Sequence, residues 1–147
     1  MFETVVVGAD ESATAAEAVR VAIELVKLTN GRLHIVTAYK PQPLRSAAGE
    51  EFSKSMSSGD LAESVLADLA SRARTNGVEV ETHLKDNAPA DAICEVATQV
   101  KADVIVVGNK GMAGLRRVLG SVPNSVAHQA PCAVLIAFTT DAAGQPG

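Results

Sequence analysis

Apolar, β-branched runs alternate with helical patterns along this 147-residue chain, and that alternation restricts its fold more than any other feature. Strands joined through helices run parallel, with right-handed crossovers. We therefore predict an open, doubly wound, five-stranded parallel α/β sheet with helices on both faces, a Rossmann-like fold. The predicted strands are residues 4–7, 33–39, 78–84, 104–107 and 133–138, and the predicted helices are residues 12–29, 61–74, 89–100 and 122–128.

The predicted strands differ in their expected exposure to solvent. Residues 4–7 and 104–107 are continuous apolar runs, which suit central strands covered on both faces. Residues 78–84 instead alternate, with Glu79, Glu81 and His83 on one side. This period of two indicates an edge strand with one wet face.

Two glycine-containing loops follow the predicted central strands: Gly8-Ala9-Asp10 after the first, and Gly108-Asn109-Lys110-Gly111 after Val107. Ligands of doubly wound sheets bind at the carboxyl ends of the strands, where the winding reverses. If the first and fourth strands are neighbours, both loops line one crevice. Glycine lets a phosphate or ribose approach the backbone N–H groups of such a loop. We expect the two loops to form one nucleotide phosphate site.

The helix after the second loop begins near Gly120-Ser121-Val122, and a helix N-terminus favours anions. We expect Ser121 to be the N-cap, with the next amides open to a phosphate. Lys110, Arg116 and Arg117 add positive charge beside this loop, although the formal net charge of the chain is -4. A Gly-Ser helix start is also typical of a plain cap without a ligand.

Composition argues against several classes of function and location. A sequence pI near 5.3, one Tyr, three Phe and no Trp argue against a nucleic-acid-binding surface. Cys94 and Cys132 lie in apolar patterns, which suits buried, reduced thiols. The chain enters a strand at once, and no apolar run approaches the length of a membrane span. We expect a soluble, cytoplasmic protein with no membrane partner.

The domain organisation is expected to be simple. Residues 1–138 suit a single domain with a sizeable core. Residues 40–60 are rich in Ser, Pro and Gly, and both a lid over the site and a flexible, disordered loop stay open for them. Residues 139–147 are expected to form a flexible tail.

The chain resembles the universal stress protein family over nearly its whole length. The resemblance rests on Val7-Gly8-Ala9-Asp10, on residues 87–93, on residues 103–108 and, most specifically, on the carboxyl-terminal glycine motif. ATP-binding members carry G-x-x-G, nine residues and then G-[S/T], whereas eight residues separate Gly111 from Gly120 here. The resemblance implies the strand order 3-2-1-4-5, a homodimer formed along residues 133–138, and an adenine nucleotide as ligand: ATP, AMP or cyclic AMP.

Carried over by position, the resemblance implies that Asp10 contacts the adenine or ribose end and that the Ala38 backbone lies against the base. Asp10 has the alternative role of capping the first helix with Ser12. Lys110 and Arg117 either neutralise phosphate or are solvated surface charges, and Mg²⁺ enters only as a counter-ion of the nucleotide. Gly108 and Gly111 are implied to line the ribose and phosphate path, and the N–H and hydroxyl groups of Gly120, Ser121 and Val122 to donate to the phosphates. The other residues expected to bind the nucleotide are Gly8, Ala9 and Val107.

The sequence carries no pattern typical of an active site. The first loop matches neither a dinucleotide fingerprint nor a P-loop. His34, His83 and His128 are not spaced with cysteine or carboxylate partners as a metal site requires, so we expect structural roles for them and no metal site. The leading hypothesis is a dimeric, adenine-nucleotide-binding stress protein that senses or sequesters its ligand. The alternatives are a member that acts through protein contacts without nucleotide, and a slow, incidental ATP hydrolase.

Overall fold

The computed structural model describes residues 1–10, 13–39, 58–109 and 119–139 and folds them into five strands and four helices. Every predicted element is present. The largest displacement is at the second helix, which begins at Ser58 rather than at Leu61. The strands are β1 (Thr4–Gly8), β2 (Arg32–Ala38), β3 (Glu79–Lys85), β4 (Val104–Gly108) and β5 (Ala133–Ala137), and the helices are α1 (Ala13–Thr29), α2 (Ser58–Thr75), α3 (Pro89–Val100) and α4 (Ser121–Gln129).

All five strands lie parallel in one sheet with the order β3-β2-β1-β4-β5. The central strand β1 pairs with β2 on one side, where Val6 is opposite His34, and with β4 on the other, where Val6 is opposite Ile105. This order confirms the predicted fold and places β3 and β5 at the edges. Because the winding reverses between β1 and β4, the carboxyl ends of these two strands meet at one crevice.

Helices cover both faces of the sheet. Val5, Val7 and Ile35 point into the core formed with α1 and α2, and Val6 and Ile105 point into the core formed with α3 and α4. All five side chains are fully buried. This burial on both faces is why the central strands are continuous β-branched runs rather than alternating ones.

The connection from α1 to β2 follows from two residues. Asn30 adopts a left-handed φ of 55°, which ends α1 at Thr29, and the Gly31 N–H then donates to the Val26 carbonyl at 3.2 Å. A Cβ on Gly31 would collide with the backbone of Glu3 at the start of β1. The helix end predicted at Asn30-Gly31 is therefore confirmed.

The start of α4 differs from the prediction, because Ser121 is not its N-cap. Gly120 has φ of −61° and ψ of 163°, the extended backbone of an N-cap, and its carbonyl accepts from the Asn124 N–H at 3.0 Å. Ser121 is thus the first helical residue. The backbone of Gly120, rather than the Ser121 hydroxyl, begins the helix.

Most of the predicted loop, residues 40–57, and of the predicted tail, residues 140–147, lies outside the described residues. Thr139, which the sequence assigned to the tail, is buried, and its N–H donates to Asn109 Oδ1 at 2.6 Å. The packed structure therefore continues two residues past the end of β5, through Phe138 to Thr139. None of the described helices is long and apolar enough to cross a membrane.

Candidate functional site

A cavity of about 360 Å³ lies at the carboxyl ends of β1 and β4, where the topology predicts a ligand. Gly8 contributes from the end of β1, and Val107 and Gly108 contribute from the end of β4. The first turns of α1, α3 and α4 form the sides. Small-molecule sites occupy roughly 300–1,000 Å³, so the cavity is large enough for a small ligand.

The structure brings together most of the site residues predicted from the sequence. Gly120 is the N-cap of α4, directly before the cavity-lining Ser121. Lys110, Gly111 and Arg117 lie outside the described residues. The predicted residues that line the cavity are Gly8, Ala9, Asp10, Ala38, Val107, Gly108, Ser121 and Val122. Whether they contact a ligand stays a prediction.

The first turn of α4 lines the cavity, and a helix start carries free backbone amides. Pro123 has no N–H, and the Asn124 N–H is bonded to the Gly120 carbonyl. The amides that this helix end presents are therefore those of Ser121 and Val122, which both line the cavity. A helix N-terminus carries the equivalent of about half a positive charge. This end of the cavity suits an anion such as a phosphate.

Small and apolar side chains form much of the remaining wall. Val36 and Ile93 are buried, and the half-buried Ala38 ends β2 beside them. The Ala9 N–H donates to the Val36 carbonyl at 2.9 Å, which holds the turn after β1 against β2. An apolar surface of this kind suits an aromatic ring better than a charged group.

The glycines that end β1 and β4 pack closely against neighbouring side chains of the protein itself. A Cβ on Gly8 would collide with the Ile93 side chain, and a Cβ on Gly108 would lie 2.9 Å from Thr139 Oγ1. Neither glycine has a positive φ; among the described residues, Gly77 is the glycine that does. The interpretation of these glycines as openings for a ligand is therefore incomplete, because neighbouring side chains already exclude larger residues.

Sequence reasoning missed the contributions of α1 and α3 to this cavity, and found only the start of α4. A signal for them existed, because a helix that follows a strand begins at the carboxyl edge of the sheet, and its first turns therefore border the crevice. The missed lining residues are Thr14, Ala15 and Ala18 of α1, Val36 of β2, Pro89 and Ile93 of α3, and Pro123 of α4.

Comparison with known proteins decides the family. The family model for the universal stress protein family matches residues 1–137. The chain belongs to the universal stress protein family. This confirms the resemblance carried by the glycine motif and by the residues that follow β1.

Relatives of this universal stress protein match it over almost its whole length. Universal stress protein Rv1636 of Mycobacterium tuberculosis is 37% identical over 145 residues, which cover 95% of this chain and 98% of the relative. A universal stress protein solved in complex with cAMP is 37% identical, with a TM-score of 0.74 and coverage of 94% of this chain and 98% of that one. The universal stress protein from Archaeoglobus fulgidus solved in complex with dAMP is 26% identical, with a TM-score of 0.66 and coverage of 92% and 98%.

A second cluster, away from the cavity, joins His34, Glu81 and His83 on β2 and β3. His34 Nδ1 lies 3.0 Å from His83 Nε2 and 3.4 Å from Glu81 Oε2. The structure gives these two histidines a carboxylate neighbour that the sequence spacing did not indicate. Glu81 and His83 lie 47 and 49 positions after His34 in the sequence, so only the register of β2 against β3 brings them to His34.

Burial controls the protonation of the two histidines. Burial lowers the pKa of His34 below its ordinary value of 6.5, and the charge of His83 lowers it further, while Glu81 opposes the shift. Burial also lowers the pKa of His83, again against the opposing charge of Glu81. Lys85 and Arg32 repel a proton on His83 and His34, respectively. Both rings are therefore neutral near pH 7.

The two cysteines are free thiols. Cys94 is buried in α3, and Cys132 is half-buried before β5. Burial raises the pKa of both thiols, and the charge of Asp91 raises the pKa of Cys94 further. Since the thiolate is the reactive form, neither residue has the environment of a nucleophile.

Proposed function

We propose that this universal stress protein binds an adenine nucleotide, either ATP, AMP or cyclic AMP, in the cavity at the ends of β1 and β4. It would act as a ligand sensor or a sequestering protein in the stress response. The observation that carries the proposal is a cavity lined both by the first residues of α4, whose backbone amides can donate, and by small, apolar side chains. A phosphate needs the first and an adenine base needs the second. The relatives solved with cAMP and dAMP support the same ligand class.

The proposed pose follows from these two parts of the cavity lining. The amides of Ser121 and Val122 donate to the phosphate, and the base lies along Ala38. Asp10 also lines the cavity, and its carboxylate accepts hydrogen bonds from the ribose hydroxyl groups. From the sequence, Gly111, Gly120, Lys110 and Arg117 are proposed as further phosphate contacts, with Mg²⁺ accompanying the nucleotide only as a counter-ion.

Replacing Ser121 with Asp tests the phosphate end of this pose. A carboxylate at the start of α4 is favourable for the helix, so the fold should be retained. A negative charge about 4 Å from a phosphate costs about 4 kcal/mol at an intermediate dielectric constant. We therefore expect calorimetry to show AMP and cyclic AMP binding weakened by at least about tenfold, and adenosine, which has no phosphate, binding almost unchanged.

Asn124→Asp is the matched control, because Asn124 is exposed in the same helix and does not line the cavity. This variant adds the same charge near the phosphate end without entering it, and we expect much smaller changes in affinity. Equal losses for adenosine and AMP in Ser121→Asp would show that the phosphate does not lie at α4 and would overturn the pose.

Replacing Ala38 with Leu tests the apolar end. The larger side chain occupies space that the base would need, so all adenine ligands, adenosine included, should bind at least about tenfold more weakly. Ala67→Leu, at an exposed position of α2, makes the same substitution away from the cavity and should leave binding unchanged. Wild-type protein that gives no heat with ATP, AMP, cyclic AMP or adenosine would favour the alternative of a member acting through protein contacts.

We also propose a homodimer formed along residues 133–138. Support comes from β5, which lies at the sheet edge with Ile136 and Phe138 exposed by 40% and 52%. Exposed apolar edge strands favour pairing with a second chain. Light scattering at micromolar concentration should give a molar mass of two chains for the wild-type protein and of one chain for the Ile136→Lys variant. A monomeric wild-type protein at that concentration would contradict this proposal.

We further propose that this protein binds its ligand without acting as an enzyme and that it is located in the cytoplasm. Residues 1–138 would form its single domain. Support comes from the free thiols of Cys94 and Cys132, which suit a reducing compartment, and from the raised pKa of both thiols. A sensitive phosphate-release assay should show only slow, incidental hydrolysis of ATP. Turnover at typical enzyme rates, about 1 s⁻¹ or faster, would contradict a pure binding role.

A further inference from the structure

The face of the sheet at β2 and β3 carries a set of metal-ligand side chains outside the nucleotide cavity. His34 lies directly opposite Glu81 in the parallel ladder, and His83 lies two residues farther along β3. Because side chains alternate between the two faces of a strand, Glu81 and His83 project to the same face, where His34 meets both. The three groups share that face because of the sheet register and do not depend on any loop.

The spacing of the ligand atoms fits one small cation. Ligand atoms about 2.0–2.1 Å from a tetrahedral metal lie about 3.3 Å from each other. His34 Nδ1 lies 3.0 Å from His83 Nε2 and 3.4 Å from Glu81 Oε2. All three ligand atoms lie within 4.8 Å of one another. The Glu81 side chain is 62% accessible, so it is free to rotate toward an ion held by the two histidines.

The charged side chains on either side of Glu81 are paired with other residues, so the Glu81 carboxylate is available to a cation. On the same face, Glu79 is paired with Arg32 at 2.7 Å, and Lys85 is paired with Glu95 at 2.9 Å. These two ion pairs lie on either side of Glu81 along β3. Within the described part of the chain, no lysine or arginine lies within 4 Å of the Glu81 carboxylate.

Two imidazoles and one carboxylate are the donor set of zinc sites that keep one coordination position open. We propose that His34, Glu81 and His83 bind one Zn²⁺ ion per chain, with a water molecule in the fourth position. His34 Nδ1 and His83 Nε2 are the nitrogen ligands, so the hydrogen bond between the rings is exchanged for two bonds to the metal. The ion joins β2 to the edge strand β3 and stabilises that edge.

Direct titration of untagged, chelator-stripped protein with ZnCl₂ tests the proposal, followed by calorimetry and thermal unfolding. We expect one zinc per chain and a higher melting temperature when zinc is present. His83→Gln and Glu81→Gln should each weaken zinc binding by at least about 100-fold, since even residues that only orient a ligand change metal affinity by 10–100-fold. Both positions are accessible enough for the variants to fold.

Two substitutions serve as matched controls. His128→Gln removes an exposed histidine from α4, and Glu63→Gln removes an exposed carboxylate from α2. Both should leave zinc affinity and stoichiometry unchanged. A Co²⁺ spectrum should show the visible bands of a tetrahedral nitrogen and oxygen site and no thiolate charge-transfer band, which excludes Cys94 and Cys132 as ligands.

The proposal fails if zinc does not bind at one equivalent per chain. It also fails if His83→Gln and Glu81→Gln bind zinc within tenfold of the wild-type protein, or if the cobalt spectrum shows a thiolate band. Adenosine and cyclic AMP binding by the same variants should stay at the wild-type level, so the outcome does not depend on the proposed nucleotide function.

Discussion

A single added methyl group at Gly8 should destabilise this universal stress protein, because the space beside Gly8 is already filled. A Cβ there would collide with Ile93 Cδ1 and lie 3.0 Å from Ile93 Cγ1, and Ile93 is 3% exposed in the core under α3. Overpacking of this kind costs about 1–3 kcal/mol. Gly8 lacks a positive φ, so alanine also gains roughly 0.4–1 kcal/mol from a less flexible unfolded chain.

The expected net loss of unfolding free energy for Gly8→Ala is therefore about 1–2 kcal/mol. For a chain of this length, the melting temperature should fall by about 2–8 °C. Urea unfolding followed by circular dichroism measures the free energy, and calorimetry measures the melting temperature. Gly59→Ala is the matched control: its Cβ would lie 3.4 Å from the Tyr39 ring, an ordinary contact, so we expect unchanged or slightly higher stability.

A double-mutant cycle identifies the cause of the loss. Ile93→Val removes the Cδ1 atom that Gly8→Ala would meet and costs about 0.5–1.5 kcal/mol alone. If the collision causes the loss, the double variant should be about 1 kcal/mol more stable than the sum of the two single effects. Additive losses, or a Gly8→Ala protein as stable as wild type, would refute the packing argument. The glycine would then be explained by the close approach of a ligand to the backbone.

Three further predictions follow from contacts elsewhere in the fold. Asn109→Ala should cost about 1–3 kcal/mol in urea unfolding, because it leaves the buried N–H of Thr139 without its acceptor. Asp103→Ala removes the acceptor for two backbone N–H groups at the start of β1, so hydrogen exchange there should quicken. In metal-free protein, the free energy of unfolding should fall as the pH drops below about 6.5, because the unfolded chain takes up protons on His34 and His83 that the folded protein resists. The double variant His34→Gln with His83→Gln should reduce this pH dependence. An unchanged slope of unfolding free energy against pH would contradict the prediction.

Local periodicity was sufficient to predict the sheet. The continuous runs at residues 4–7 and 104–107 reflect strands covered by helices on both faces, and helices between strands leave only parallel pairing. The turn at Asn30-Gly31 was equally local, since a left-handed φ favours asparagine or glycine. Each of these features depends on residues that are close together in the chain.

Features set by packing between distant segments were not predictable. The alternation of β3 suggested that His83 faces solvent, but the ladder with β2 places it against His34. Gly120 rather than Ser121 caps α4 because the Gly120 carbonyl accepts the Asn124 N–H, a contact that the sequence does not reveal. The sequence therefore indicated the nucleotide cavity, whose residues follow strands, and not the histidine cluster, whose residues belong to strands paired only in the folded state.

The nucleotide cavity and the proposed zinc site share β2, and the strand geometry sets how far they can influence each other. Ala38 lines the cavity and His34 belongs to the zinc cluster, four residues earlier on the same face. At about 3.3 Å per residue, the two positions lie about 13 Å apart. The strand between them is paired on both sides, by β1 and by β3, so it offers no alternative arrangement that one ligand could select.

We therefore expect the two ligands to bind independently. Saturating zinc should change the affinity for cyclic AMP by less than about threefold, and saturating cyclic AMP should change the affinity for zinc by the same factor, since coupling between sites is reciprocal. Calorimetric titration of each ligand with and without the other measures both values. A reciprocal change of tenfold or more would mean that β2 moves between two states, and the rigid sheet inferred from its buried, doubly paired centre would have to be abandoned.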